Sequence, residues 1–193
     1  MTALRVCIIT MLLTFLYLIS TVLLTNILFH GKSNGSLIKI NHKITGSELI
    51  GQEFTSNLYF HGRPSFSNYK NNISGNSNFP YYSESLVSFI KDKHKTLLLL
   101  NNGNKPDLNL ITESASGLDP HITYTGTLAQ LNRVTSAGKI DEETIRTLID
   151  KNSKPRIAGL FGEKIVNVLK LNIELNKIYA KTPGSRWIIK TNS

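Results

Sequence analysis

The chain has 193 residues, a formal net charge of +9 and a single cysteine, Cys7. Because Cys7 sits in the first apolar run, the rest of the chain holds no disulfide, thiol nucleophile or thiolate metal site. The lysines are scattered, and their tightest group (Lys91, Lys93, Lys95) lacks the aromatic interleaving or motif of a nucleic-acid binder. It reads as a solvated basic surface that also suits anionic headgroups or an acidic partner.

From Val6 to Phe29 the chain runs 24 residues without a charge. At ~1.5 Å per residue that is on the order of 36 Å, enough to cross a hydrocarbon core of about 30 Å. A cleaved signal has a shorter apolar stretch and a small-x-small exit, which Asn26–His30 does not offer. The organisation expected is therefore an anchor over 1–30, a soluble domain over 31–180 and a basic tail over 181–193. Val6, Leu13, Leu18, Leu24 and Phe29 mark the span. Arg5 precedes it while Lys32, Lys39 and Lys43 follow, a count that would keep the domain cytoplasmic. Large domains cross largely regardless of such charges, so composition leaves the side open.

Beyond the span, Ser36–Ile40 and Ile44–Ile50 flank the polar Asn41-His42-Lys43 and predict a hairpin. Gln52 to Tyr82 is rich in Asn, Ser, Gly, Tyr and Phe and reads as a long ordered surface loop. Ser83 caps a predicted helix to about Lys95, with Leu86, Val87 and Ile90 inward. Leu97–Leu100 is a short apolar run, Asn101–Asp107 a loop, and Leu108–Ile111 alternates briefly as a strand does. Thr123 opens a helix through Leu128, Leu131 and Val134 that stops at Gly138. Asp141 caps the next helix, with Glu142 and Glu143 in its first turn and Ile145, Leu148 and Ile149 on one face. Ile157–Phe161 reads as a strand, and Val166–Leu175 as a strand handing over to a terminal helix. Strands and helices mix without a βαβ repeat, so the fold class expected is α+β.

The densest polar group is Ser114 to His121. A hydrolase reading on Ser116, Asp119 and His121 is weak, because residues of one short loop rarely adopt nucleophile–base–orienter geometry and no G-x-S-x-G elbow occurs. Asp119-Pro120 followed by His121 is more simply a capped turn. His30, His42, His61, His94 and His121 lack metal-ligand spacing, and no phosphate-cradling glycine loop is present. The sequons at Asn34 and Asn72 matter only in a glycosylating system. Phe60-His61-Gly62-Arg63-Pro64-Ser65 remains: Arg63 either recognises a carboxylate or carbonyl of a partner or ties the long loop to the domain, with Pro64 stiffening it.

At these residues the chain resembles the C subunit of the bacterial Kdp-type potassium-transporting P-type ATPase. The resemblance spans nearly the whole chain. It rests on the single span, Asn34–Leu37, Gly46–Gln52, Phe60–Ser65, Ser116–Ile122, Gln130 with Arg133-Val134, Gly162-Glu163, Val166–Leu169 and Leu171-Asn172, in that order and spacing. The chain departs from the family pattern at Asn76, Glu113, Ala115, Thr123-Tyr124 and Lys164, and in the tail after Ala180.

The resemblance implies a non-catalytic subunit of a complex formed with a channel-like potassium-binding subunit, a P-type pump subunit and a small membrane peptide. It implies a single-pass inner-membrane protein with a cytoplasmic N-terminus and a periplasmic domain over the pore entrance. Potassium and Mg-ATP then act on the partner subunits, and this chain has no cofactor of its own. The family is also described as raising the ATP affinity of the pump. A periplasmic domain cannot touch cytoplasmic ATP, so assembly and pore cover lead. The implied interface or structural loops hold Arg63, Pro64, Ser65, Ser116, Gly117, Asp119, Pro120 and His121.

Overall fold

A computed structural model describes residues 2–40, 42–156 and 158–180, in two compact units divided between Ser47 and Glu48. The basic tail expected over 181–193 lies outside the described residues.

The first unit begins with α1 (Thr2–Leu28), none of whose residues is buried. Among the described helices it is the one long and apolar enough to cross a membrane. Its threonines hide their hydroxyls on its own backbone: Thr10 donates to Val6 O at 3.0 Å, Thr14 to Thr10 O at 2.8 Å, Thr21 to Tyr17 O at 3.0 Å and Thr25 to Thr21 O at 2.8 Å. In hydrocarbon each hydroxyl needs such an acceptor, and the carbonyls three and four residues back supply it. Val6, Leu13, Leu18 and Leu24 lie on α1, but Phe29 is already past its end, at φ −128°, ψ 40°, before the short α2 (His30–Ser33). The predicted hairpin follows as β1 (Leu37–Ile40) and β2 (Lys43–Ser47), antiparallel, with an irregularity between Ile38 and Lys39.

Among the described residues the second unit is built on a small antiparallel sheet and six helices, the α+β class. The sheet runs β3 (His121–Thr123), β5 (Ile165–Asn167), β4 (Ser153–Lys154) in spatial order. The helices are α3 (Glu84–Leu100), α4 (Leu108–Ile111), α5 (Tyr124–Ala129), α6 (Leu131–Gly138), α7 (Glu142–Asn152) and α8 (Val168–Ala180). The core gathers on α8, where Leu169, Leu171 and Leu175 are at most 1% exposed, against Ile145 and Ile149 of α7 and Ile122 of β3. Eight of the thirteen residues of α8 are buried, Asn172 and Asn176 among them, as befits a helix at the centre of a core. That explains why its sequence mixes both periodicities: the strand ends at Asn167 and the alternating leucines are already helical.

Several local expectations need correction. Leu108–Ile111 is helix α4, not a strand, because the Asp107 carboxylate accepts from Asn109 N at 2.9 Å and nucleates a turn. Leu97–Leu100 extends α3, which ends in a Schellman arrangement: Gly103 N donates to Leu98 O at 2.8 Å, with Asn102 at φ 56°. Ser83 occupies the N-cap of α3 without a side-chain capping bond, and Val87 is 44% exposed rather than inward. The helix from Thr123 is broken at Gln130, and Lys139, not Gly138, takes the left-handed C-cap, at φ 51°. Gly138 is required for room, since a Cβ there would stand 2.8 Å from Tyr179 Cε1.

The strand expected over Ile157–Phe161 is instead a turn at Ala158–Leu160, Ile157 itself lying outside the described residues. The sheet takes its third strand earlier, at Ser153–Lys154. The irregular stretch 52–82 is not wholly superficial, because Phe54, Tyr59 and Phe60 are 8%, 2% and 0% exposed.

Candidate functional site

The loop carrying Arg63–Ser65 and the loop from Ser114 to His121 meet and bond to each other. Pro64 O accepts from Ser114 N at 3.2 Å. Arg63 Nη2 donates to Glu113 O at 2.8 Å, and its Nη1 lies 3.5 Å from Asp119 Oδ2. The Ser65 hydroxyl donates to Gly117 O at 2.6 Å and accepts from Tyr69 N at 3.0 Å. Tyr69 closes the group by donating its hydroxyl to Arg63 O. Arg63 thus ties the long loop to the domain through a carbonyl and a carboxylate of this same chain.

The second loop is folded by its own side chains. Asp119 Oδ1 accepts from His121 N at 3.0 Å and lies 3.4 Å from His121 Nδ1. Burial acts to raise the Asp119 carboxyl, but the hydrogen bonds from His121 and the charges of His121 and Arg63 outweigh it and hold the group below its ordinary value. Tyr69 is raised above the ordinary phenol value, first by burial and then by repulsion from Glu53 and Asp119. Pro120, which is buried, accepts from Val168 N at 2.9 Å and fastens the loop to the start of α8.

Gly117 sits at φ 68°, where an added Cβ would meet Gly75 O at 2.7 Å. That closeness admits the 74–77 segment, where Gly75 N donates to Ser116 O at 2.9 Å and Ser77 N to Glu113 Oε2 at 3.0 Å. The Ser116 hydroxyl accepts from Leu118 N at 3.1 Å within the turn, and no Ser116–His121 hydrogen bond occurs among the described residues. The geometry is that of a loop lock, not of a nucleophile with its base. No group of three His, Cys, Asp or Glu side chains placed to hold a metal occurs among the described residues.

A second network, which sequence reasoning did not single out as a site, holds the irregular segment 57–61 from both sides. Asn172 of α8 is 0% exposed; its Oδ1 accepts from Phe60 N at 2.9 Å and its Nδ2 donates to Phe60 O at 2.8 Å. Gln130 treats His61 the same way, accepting from its N at 2.8 Å and donating to its O at 3.1 Å. Asn176 accepts from the Tyr59 hydroxyl at 2.9 Å, and Tyr179 donates to Leu58 O at 2.9 Å. Side-chain amides here do the work of neighbouring strands.

Arg133, 4% exposed, donates to Asn57 O, Tyr59 O, Asn101 Oδ1 and Gln130 Oε1 at 2.7–3.1 Å. Burial lowers its pKa to about 10. His61 is lowered to about 4, first by burial and then by the Arg133 charge. The sequence signal was the spacing Asn172, Asn176, Tyr179 (i, i+4, i+7) on one face of an apolar helix.

Between the lock and α3 lies a polar cleft of about 180 Å³, bordered by Glu53, His61, Arg63, Ser65, Tyr69 and Lys93.

Comparison with known proteins identifies the family. The family described as "K+-transporting ATPase, c chain" matches residues 1–177. A protein of Gloeobacter violaceus named "Potassium-transporting ATPase KdpC subunit" is 42% identical over 151 residues, 78% of this chain and 80% of its own. Proteins of the same name in Caldanaerobacter subterraneus and Clostridium perfringens are 40% and 35% identical. The latter similarity covers 91% of this chain and 94% of the relative.

Proposed function

The chain belongs to the family of potassium-transporting ATPase c chains, and from that premise we propose that its second unit is a rigid assembly module on the outer side of the membrane. Its membership makes it an accessory, membrane-associated subunit of a potassium-transport complex rather than the catalytic subunit. The proposal concerns what it does there. It stabilises a complex of a channel-like potassium-binding subunit, a P-type pump subunit and a small membrane peptide, with its periplasmic domain across the outer pore entrance and its N-terminus cytoplasmic.

The observation that carries this reading is the loop lock. Arg63, Ser65, Ser116 and Asp119, the groups with most chemistry to offer, all hold main-chain atoms or one another in this chain. Such a site keeps a surface rigid rather than turning over a substrate, and rigidity is what a partner-facing surface gains from. Potassium and Mg-ATP act on the partner subunits in this reading. Any effect on ATP affinity is then transmitted through the pump subunit.

Deleting the chain should abolish high-affinity potassium uptake, and the channel-like and pump subunits should no longer co-purify in normal yield. Full potassium-stimulated ATPase activity of a complex purified without this chain would overturn the assembly role.

A further inference from the structure

Of the apolar run read from sequence as a strand, the described residues Ala158 to Phe161 all stay outside the core of the second unit. Leu160 and Phe161 are 77% and 70% exposed at the end of the β4–β5 connection. Three left-handed residues shape that end: Ala158 at φ 52°, Gly159 at φ 74° and Gly162 at φ 81°. An alanine in this region is uncommon and costs backbone strain. Gly159 N donates to Arg156 O at 3.1 Å to close the turn.

The base below is firm. Ser153 pairs with Val166 and Lys154 with Ile165, and Lys164 is fixed by Asp150 Oδ1 at 2.9 Å and the Tyr124 ring at 3.5 Å. Lys154 and Arg156, both exposed, flank the tip and make no ion pair among the described residues. The exposed Glu163 is the one acid beside them on the connection.

We propose that this tip is a second membrane foot: Leu160 and Phe161 dip into the interfacial layer of the bilayer that holds α1, with Lys154 and Arg156 against anionic headgroups. Two apolar side chains fall far short of the roughly 800 Å² per partner that a stable protein interface buries. They suffice for a bilayer contact when the chain is already tethered by α1, because the tether makes the second contact intramolecular. An apolar tip with a net basic collar is also complementary to a negatively charged membrane surface. The inference needs only the anchor, so it stands or falls apart from the pore-cover reading.

The test uses the assembled ATPase complex, carrying Cys7→Ala and one spin-labelled cysteine, in vesicles of phosphatidylcholine with or without phosphatidylglycerol. A label at Phe161→Cys should collide more with oxygen than with a water-soluble nickel chelate, and one at the exposed Thr147 should do the reverse. Phosphatidylglycerol should strengthen the difference, and Lys154→Gln with Arg156→Gln should remove that gain. Leu160→Ser should move the label at 161 toward water. Nickel accessibility at 161 equal to that at Thr147 would overturn the proposal. So would a label immobilised and shielded from both reagents, which marks a protein partner instead.

Discussion

Replacing Asn172 with leucine is the sharpest probe of the second unit. Asn172 is 0% exposed and satisfies both main-chain polar groups of Phe60, itself 0% exposed. Leucine has similar bulk but can satisfy neither, so a buried N–H and a buried C=O are orphaned together. Each orphan costs about 1–3 kcal/mol, so the variant should lose about 2–6 kcal/mol. A domain of this size has only about 5–15 kcal/mol in hand. In urea, with a slope of roughly 2 kcal/mol per molar, the midpoint should fall by about 1–3 M. The assay is urea unfolding of the full chain in detergent micelles, followed by near-UV circular dichroism of the buried tyrosines. Asn72→Ala at an exposed position is the comparator and should stay within about 0.5 kcal/mol. If Asn172→Leu unfolds at the comparator's midpoint, Phe60 does not depend on a side chain for its hydrogen bonds and the account of segment 57–61 is wrong.

Three further outcomes follow from the same geometry. Gly117→Ala should cost about 1–2 kcal/mol from its left-handed backbone and its collision with Gly75 O. Limited proteolysis within 70–77 should accelerate in that variant, and unchanged cleavage there would argue against Gly117 as the seat of the 74–77 segment. His61 takes up its proton near pH 4 when folded and near pH 6.5 when unfolded. The unfolded state therefore binds more protons between those values, so stability should fall on acidification through that window, by on the order of 3 kcal/mol. His61→Gln should flatten that part of the profile, and an undiminished slope would assign it to other groups. A cysteine replacing the exposed Leu99 in a Cys7→Ala chain should be labelled by an impermeant maleimide in intact spheroplasts. Labelling only after lysis would place the domain in the cytoplasm, as the flanking charges Lys32, Lys39 and Lys43 suggest.

What could be read from sequence was what depends on neighbours along the chain. The apolar helix, the hairpin around His42 and the Asp141 cap are each decided within a few residues, although the helix stops short of Phe29 and Lys43, expected in the turn, already begins β2. Thr123 likewise caps, accepting from Gly126 N at 3.0 Å. Leu108–Ile111 misled because four residues alternate equally well on a helix turn, and the deciding bond comes from Asp107 outside the run. The meeting of Arg63 with Glu113 and Asp119 joins residues some fifty positions apart, which no local pattern encodes. Phe60 and His61 looked like parts of a loop because their partners are amides on distant helices rather than a neighbouring strand.

The clamp on that segment also sets an order of events. Asn172, Asn176 and Tyr179 all lie on α8 and reach back 112 to 121 residues to positions 57–61. A chain made from its N-terminus therefore inserts α1 and produces Phe60 long before anything can receive it. Until α8 is complete, Tyr59 and Phe60 have no amides to bind and little core to enter. Such distant closure slows folding and leaves apolar surface open to wrong contacts meanwhile. The unit should accordingly gain its protease resistance in one late step, and chains halted before α8 should remain cleavable in the 52–82 stretch even with the membrane anchor in place.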